Sequence, residues 1–534
     1  MKRFQLTTFF WLFFTLVLTA QNNFNYSVHL DSVTISNLPG VHSFAYAQHD
    51  GKWLVIGGRL DGIHARQPFN AFPQSQNNQN ILVIDPVNQQ YWSSSVSVLP
   101  TNLKEQLQST NMNFYQDKDT LYIIGGYAFS PTANDHITFP YLASVQVSDL
   151  MNAVINNASI TPYFKQITDT AFAVTGGQMG KIGNEIYLIG GHRFDGRYNP
   201  MNNPTFVQKY TNQIRKFVFN NSGTQLSFSN YSTITDPIHL RRRDYNLLPQ
   251  IYPDGSHGYT ISSGVFQINV DLPFLYPVDI TAAGHNPITS FNQYLSNYHG
   301  AKVALHDSIN NEMHNLFFGG MSQYYYQNNT LVQDNQVPFV KTISRMSRDS
   351  SGNLLEVQLP IEMPGYRGAG SEFFVNKDLP HHESKVIKLD AIQADTILLG
   401  YIYGGILSPT INPFANNVTS TTSADNKIYK VYLIKDTPQS VYEINGKNPY
   451  QVNLYPNPVN DVLNVSFEME NPSPVDYFVT DAKGAIVQEG VIKATSSGET
   501  HHKIKLNKIS GAQTLFVTFI FDDKFYVSKK VVKN

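Results

Sequence analysis

Five times in this chain a short apolar run ends on two adjacent glycines. The runs are Trp53-Leu-Val-Ile-Gly57-Gly58, Leu121-Tyr-Ile-Ile-Gly125-Gly126, Ile186-Tyr-Leu-Ile-Gly190-Gly191, Leu316-Phe-Phe-Gly319-Gly320 and Leu399-Gly-Tyr-Ile-Tyr-Gly404-Gly405. A half-exposed strand alternates apolar and polar side chains, and these runs do not alternate. Each must be covered on both faces. The glycines lack Cβ, so the backbone can leave the strand at positive φ and approach a neighbour closely.

The first glycines stand at 57, 125, 190, 319 and 404, at intervals of 68, 65, 129 and 85. The interval of 129 is a doubled repeat, so a degenerate unit is expected near residue 254. Tyr259-Thr-Ile-Ser-Ser-Gly264 follows a Pro253-Asp254-Gly255 turn there, with Ser-Gly in place of Gly-Gly. The motifs resemble kelch repeats. The fold this implies is all-β, a six-bladed kelch-like β-propeller, in which each strand is sandwiched between neighbouring blades. The period exceeds the roughly 50 residues of a kelch repeat, so the surplus is expected in loops. The last unit has three strands by residue 434 and lacks a fourth. Ser32-Val-Thr-Ile-Ser36 is one strand too many at the start. It is expected to close the ring by pairing with residues 427–434.

The chain has 534 residues, a net charge of −2 and no cysteine. Disulfides, thiolate metal sites and Cys nucleophiles are excluded, and a nucleic-acid partner would want a basic surface. Lys2, Arg3 and the apolar residues 9–18, ending at Leu18-Thr-Ala20, read as a signal peptide over 1–20. The apolar stretch is too short for the ~20 residues of a spanning helix, and no other segment could span a bilayer. The propeller is placed at 21–437 and a polar linker at 438–450.

Residues 451–534 change character, with short alternating strands and an Asp481-Ala-Lys-Gly484 turn, the pattern of a small Ig-like β-sandwich. Leu454-Tyr-Pro-Asn-Pro-Val-Asn-Asp461, that turn and the terminal Ser528-Lys-Lys-Val-Val-Lys-Asn534 resemble the type A sorting domain of type IX secretion substrates. One departure is Gly511-Ala-Gln-Thr-Leu-Phe516, where that family has a Gly-x-Tyr segment. The resemblance implies the type IX secretion machinery as partner through residues 451–534, and an address that is secreted or at the outer cell surface.

Strand order puts the loop after each diglycine on the same face as the start of each inner strand. That face receives the long loops, 59–80, 127–140, 192–210, 321–337 and 406–426, and function concentrates on long loops held by a rigid scaffold. Arg59, Arg193, Arg197, Arg241, Arg243, Asp244 and Arg367, with His42, His299 and Tyr326, are the candidate binding residues, expected to ring the shaft mouth. Arginine forks suit carboxylates and hydroxyl-rich sugars. The alternative is that the arginines tie blades together through backbone carbonyls. His381-His382-Glu383 reads as a solvated loop rather than a metal site, and the Asp-Gly pairs at 61 and 195 read as turns. No metal or cofactor is expected.

Three functions compete. The favoured one is an exported binding protein for an extracellular glycan or protein, not an enzyme. The second is a sugar-processing enzyme resembling sialic-acid mutarotase, with Asp195, Asp244, His192 and His299 as candidate acid–base groups. The third is a structural surface protein. Galactose-oxidase-like chemistry fails for want of a cysteine. If the signal reading holds, mass spectrometry of the secreted form will find its N-terminus at Gln21; an intact Met1 on exported protein would refute it.

Overall fold

The computed structural model describes residues 24–200, 205–435, 442–444, 449–493 and 497–534. The signal segment lies outside them, as does much of the expected linker. The described chain is all-β and propeller-like. Six units succeed one another, each built on an antiparallel run of four strands; in the first five the run is in sequential order from a first strand outward, and in the fifth sheet two further strands are added at its edges. Their first strands are Ala45–His49, Asn113–Asp117, Gln178–Ile182, Asn246–Ile251, Lys302–Asp307 and Tyr366–Val375.

The diglycine runs are the second strands, and their glycines carry the expected backbone. Gly57 and Gly58, Gly125 and Gly126, Gly190 and Gly191, Gly319 and Gly320, and Gly404 and Gly405 all have positive φ. Ser263 and Gly264 adopt the same pair of angles, 55° and 95°. The degenerate unit thus keeps the geometry with one glycine. In every unit the second residue of the pair donates its N–H to the next unit's leading segment: Gly58 to Ser109, Gly126 to Val174, Gly191 to Arg242, Gly264 to Asn297, Gly320 to Arg367 and Gly405 to Val41. It is the first glycine of each pair that lies against the next unit: a Cβ on Gly57, Gly125, Gly190, Gly319 or Gly404 would come within 2.6 Å of a carbonyl oxygen of that unit's leading segment.

A second set of bonds runs one step further in. Asn111 donates to Ser43, Gly176 to Asn111, Asp244 to Gly176, His299 to Asp244, Gly370 to His299 and Ser43 to Gly370, all backbone to backbone. The six bonds form a cycle, with one residue from each unit.

The last unit takes its outer strand from the start of the chain. Tyr26–Val33 pairs antiparallel with Ile428–Lys435, Tyr26 opposite Lys435 and Val33 opposite Ile428. The expected partner is correct, but the strand starts earlier than residues 32–36. Two short helices, Thr101–Leu107 and Val147–Ile155, were not expected; the second buries Val147, Leu150, Met151 and Val154 against the first two sheets. Within the expected linker, Tyr442–Ile444 instead adds a strand to the outer edge of the fifth sheet.

The C-terminal module has a three-strand and a four-strand antiparallel sheet around one core, including Leu463, Val479, Val517 and Phe519. It packs against the fourth unit. Phe478, Ile520 and Tyr526 share a cluster with Phe274 and Tyr276, and Tyr526 donates to Gln267.

A Cβ on Gly125 would sit 1.8 Å from the Val174 carbonyl oxygen, whereas one on Gly183, also at positive φ, meets nothing within 4 Å. Gly183→Ala should therefore cost only the left-handed strain, about 1–2 kcal/mol. Gly125→Ala adds overpacking and should lose about 2–5 kcal/mol in denaturant melts.

Candidate functional site

The first strands of all six units line one cavity of ≈ 170 Å³ along the axis of the hydrogen-bond cycle. Asn111, Asp244 and His299, which belong to the cycle, line it, and so do Ser384 and Lys385 from the insertion between the first and second strands of the sixth unit. Of the four cycle residues that are not glycine, three meet a demanding backbone: Ser43, Asn111 and Asp244 have φ of 56°, 52° and 51°, while His299 is not in that region. Asn, Asp and Ser hold such angles more readily than bulky residues.

Inside the cavity His299 Nε2 lies 2.9 Å from the carboxylate of Glu372, a buried side chain. Lys302 stands nearby; burial lowers its pKa, and Glu372 opposes that shift. Glu372 was not singled out from sequence. Its only sequence signal is its place in an inner strand, five residues after Arg367.

Above the cycle the long loops are bonded to one another. His136 of the second unit faces the Phe72 carbonyl of the first, and Thr138 donates to Asp195 of the third. Arg66 donates to the Ala415 carbonyl of the sixth unit, and Phe339 of the fifth donates to Ile411 of the sixth. At the centre of this layer, His64 stacks on Phe72 at 5.0 Å and meets Tyr198 and Phe414 edge-on at 4.5 and 5.3 Å. All four rings are partly exposed. Burial lowers the His64 pKa to about 4, and Arg243 and Arg59 nearby add to the shift. The imidazole is neutral at neutral pH.

The candidate residues divide into groups. Arg59 is buried, grips Asp61 with two bonds of 2.8 and 2.6 Å, donates to Asn77 and stands over Phe72. His42 lies beside it, with Nε2 3.9 Å from Asp61. Arg243 pairs with the Asp244 carboxylate, reaches the Tyr210 hydroxyl and lies over Phe266. Arg59, Asp61 and Arg243 all act electrostatically on His64. Arg193, which is exposed, pairs with Asp195, and Arg197 reaches the Phe69 carbonyl; both belong to the loop layer. Arg241 donates to the Phe266 and Gln267 carbonyls, and Arg367 pairs with Asp425 and Tyr429. Both sets of contacts stay within the arginine's own unit, so these two neither turn to the shaft mouth as free forks nor tie neighbouring blades; each braces its own blade. Tyr326 packs in a separate cluster with Leu275, Tyr294 and Tyr324. Asp61 and Asp195 are ion-pair partners of arginines rather than bare turn residues.

The buried anchor that sequence reasoning passed over is Arg242. It is fully buried, sits over the Phe274 and Tyr276 rings, and donates to the His239, Ser263 and Tyr276 carbonyls. It occupies the middle of the Arg241-Arg-Arg243 run, where the sequence carries no mark to distinguish it. His382 also departs from the solvated reading: its Nε2 lies 3.3 Å from His306 Nδ1, and its ring packs against His257. Among the described residues no group of three or more His, Cys, Asp or Glu is arranged to hold a metal.

Residues 453–534 match the family described as the secretion system C-terminal sorting domain. The chain is a substrate of type IX secretion, destined for the outer cell surface or the extracellular space. No curated protein matches it. Among solved structures, that of YjhT is similar at a TM-score of 0.41 and 9% identity, over 74% of this chain and 97% of that one. No helix among the described residues is long and apolar enough to cross a membrane.

The two kinds of arginine should respond differently to truncation. Arg242→Ala strands three buried carbonyls and should cost about 3–5 kcal/mol in equilibrium unfolding. Arg193→Ala removes an exposed pair and should change stability by less than about 1 kcal/mol.

Proposed function

We propose that the six units are the blades of a closed kelch-type propeller, that residues 451–534 are an Ig-like sorting module, and that the propeller is an extracellular binding protein. Its ligand is a hydroxyl-rich glycan held on the long-loop face. The observation that carries this is the partly exposed cluster of His64, Phe72, Tyr198 and Phe414, contributed by three loops of one bonded layer and backed by Arg59, Arg66 and Arg243. Aromatic faces stack on the apolar faces of sugar rings, and guanidinium forks meet their hydroxyls and carboxylates. The loops hold one another, so little ordering cost is left for binding.

The test is a glycan array probed with the full chain. Phe72→Ala with Tyr198→Ala should weaken the best-bound glycan at least tenfold, while Lys118→Ala, in a turn between the first two strands of the second unit, leaves it unchanged. Absence of any bound glycan, or equal binding by the double variant, overturns the reading.

A second reading, a sugar-processing enzyme, is favoured by the 2.9 Å contact of His299 with Glu372 inside the cavity. The two atoms lie at ion-pair distance without an aligned hydrogen bond; a small rotation of the imidazole would close that bond and let the pair relay a proton. NMR of anomer exchange in free monosaccharides, abolished by Glu372→Gln, would support it.

A further inference from the structure

The insertion of the sixth unit is more than a long loop. Residues 382–386 form a tight turn, with His382 donating to Val386 and Lys385 donating back to His382, both at 2.8 Å. Lys385 sits at φ 69°, a backbone cost that persists only where surrounding structure enforces it. That enforcement is visible. Val386 and Ile387 are fully buried, and Ile387–Lys388 pairs in parallel with the first strand of the fifth unit at Leu305 and His306. The turn therefore presents Ser384 and Lys385 to the axial cavity, away from the loop layer.

The groups brought there are short of partners. Ser384 Oγ is buried without a hydrogen bond. Lys385 lies over the Tyr115 ring at 5.4 Å, and Lys302 reaches the Gly300 carbonyl at 3.5 Å. Among the described residues the lysines in ion pairs are Lys52, Lys181 and Lys216, and neither of these two. Burial lowers Lys385 to about 8; Lys377 adds to the shift and Asp117 opposes it. Glu372 acts on Lys302 and Asp117 on Lys385 only at longer range than an ion pair, so each ammonium keeps donor positions that a small anion can take. The cavity volume, ≈ 170 Å³, is more than ten times the ~10–15 Å³ that one water requires, so there is room for a small molecule.

We propose that this end of the shaft is an anion site. Lys385 and Ser384, with Lys302 on the wall, take the carboxylate or phosphate of a small ligand, and its hydroxyl or amine groups face Asp244 and the His299–Glu372 pair. The site is separate from the loop face and does not rest on glycan binding there.

Isothermal titration of the full chain with inorganic phosphate, and separately with lactate, tests this at constant ionic strength set with chloride. Saturable one-to-one binding of at least one probe is expected, and the tighter probe identifies the anion class. Lys385→Gln and Lys302→Gln should each weaken it at least tenfold, Ser384→Ala several-fold, and Lys377→Gln less than twofold. Phe72→Ala with Tyr198→Ala should leave it intact, which separates failure here from failure of the glycan reading. Should Lys385→Gln not fold, bromide-soaked crystals of the unaltered protein provide the check: an anomalous peak beside Lys385 Nζ supports the site. No saturable binding, unchanged affinity in both lysine variants, or bromide found on the outer surface alone overturns it.

Discussion

Everything else in the propeller-like body depends on the six backbone hydrogen bonds that run from Ser43 through Gly370, His299, Asp244, Gly176 and Asn111 back to Ser43. A strand that starts at a central axis has an N–H and a C=O with no sheet partner on its inner side. Left unpaired and buried, each would cost about as much as a lost hydrogen bond. The cycle satisfies both groups of all six residues at once. It also fixes how closely the inner strands approach, and therefore sets the width of the cavity beneath.

The glycine pairs form a second tier. Each second residue binds the neighbouring unit two or three residues ahead of its cycle residue. The first glycine of the pair presses on that same neighbour at positive φ, so the diglycine is as much a joint between units as the end of a strand. The outer strand supplied by Tyr26–Val33 completes the last sheet with residues some 400 positions away in the chain. The aromatic core between the first and sixth units, with Trp53 stacked on Phe374 at 4.2 Å, lies beside this join.

The axis is differentiated along its length. One end carries partly exposed aromatic rings and arginines compensated by Asp61 and Asp244. The middle holds the His299–Glu372 pair, and the other end holds Lys302 and Lys385, neither of them in an ion pair among the described residues. A uniform repeat would give a uniform channel. The difference comes from segments outside the repeat pattern, the long loops at one end and residues 376–396 at the other. The sorting module is held apart from both, against the fourth unit, where the Tyr526 ring is buried beside Tyr276 and Phe274.

The repeat of the diglycine strands, the position of the degenerate unit at Tyr259–Gly264, the strand that completes the last sheet and the sorting module were all legible in the residues. Each follows from local chemistry: runs that do not alternate, glycines where φ is positive, and an unpaired strand at each end. The candidate site was legible in part. Asp244 and His299 line the axial cavity, and Arg59 and Arg243 both act on His64, because strand order decides which strand ends converge. The separation of Arg242 from Arg241 and Arg243, the partnership of Glu372 with His299, and the arrival of Ser384 and Lys385 in the cavity were decided by tertiary structure alone. Adjacent side chains on an extended segment point in opposite directions, so a one-residue phase determines whether an arginine is buried beneath a sheet or faces the axis. An insertion carries no periodicity from which its destination could be read. Sequence by itself determined the framework and the address; packing across units decided which charges were left facing the cavity.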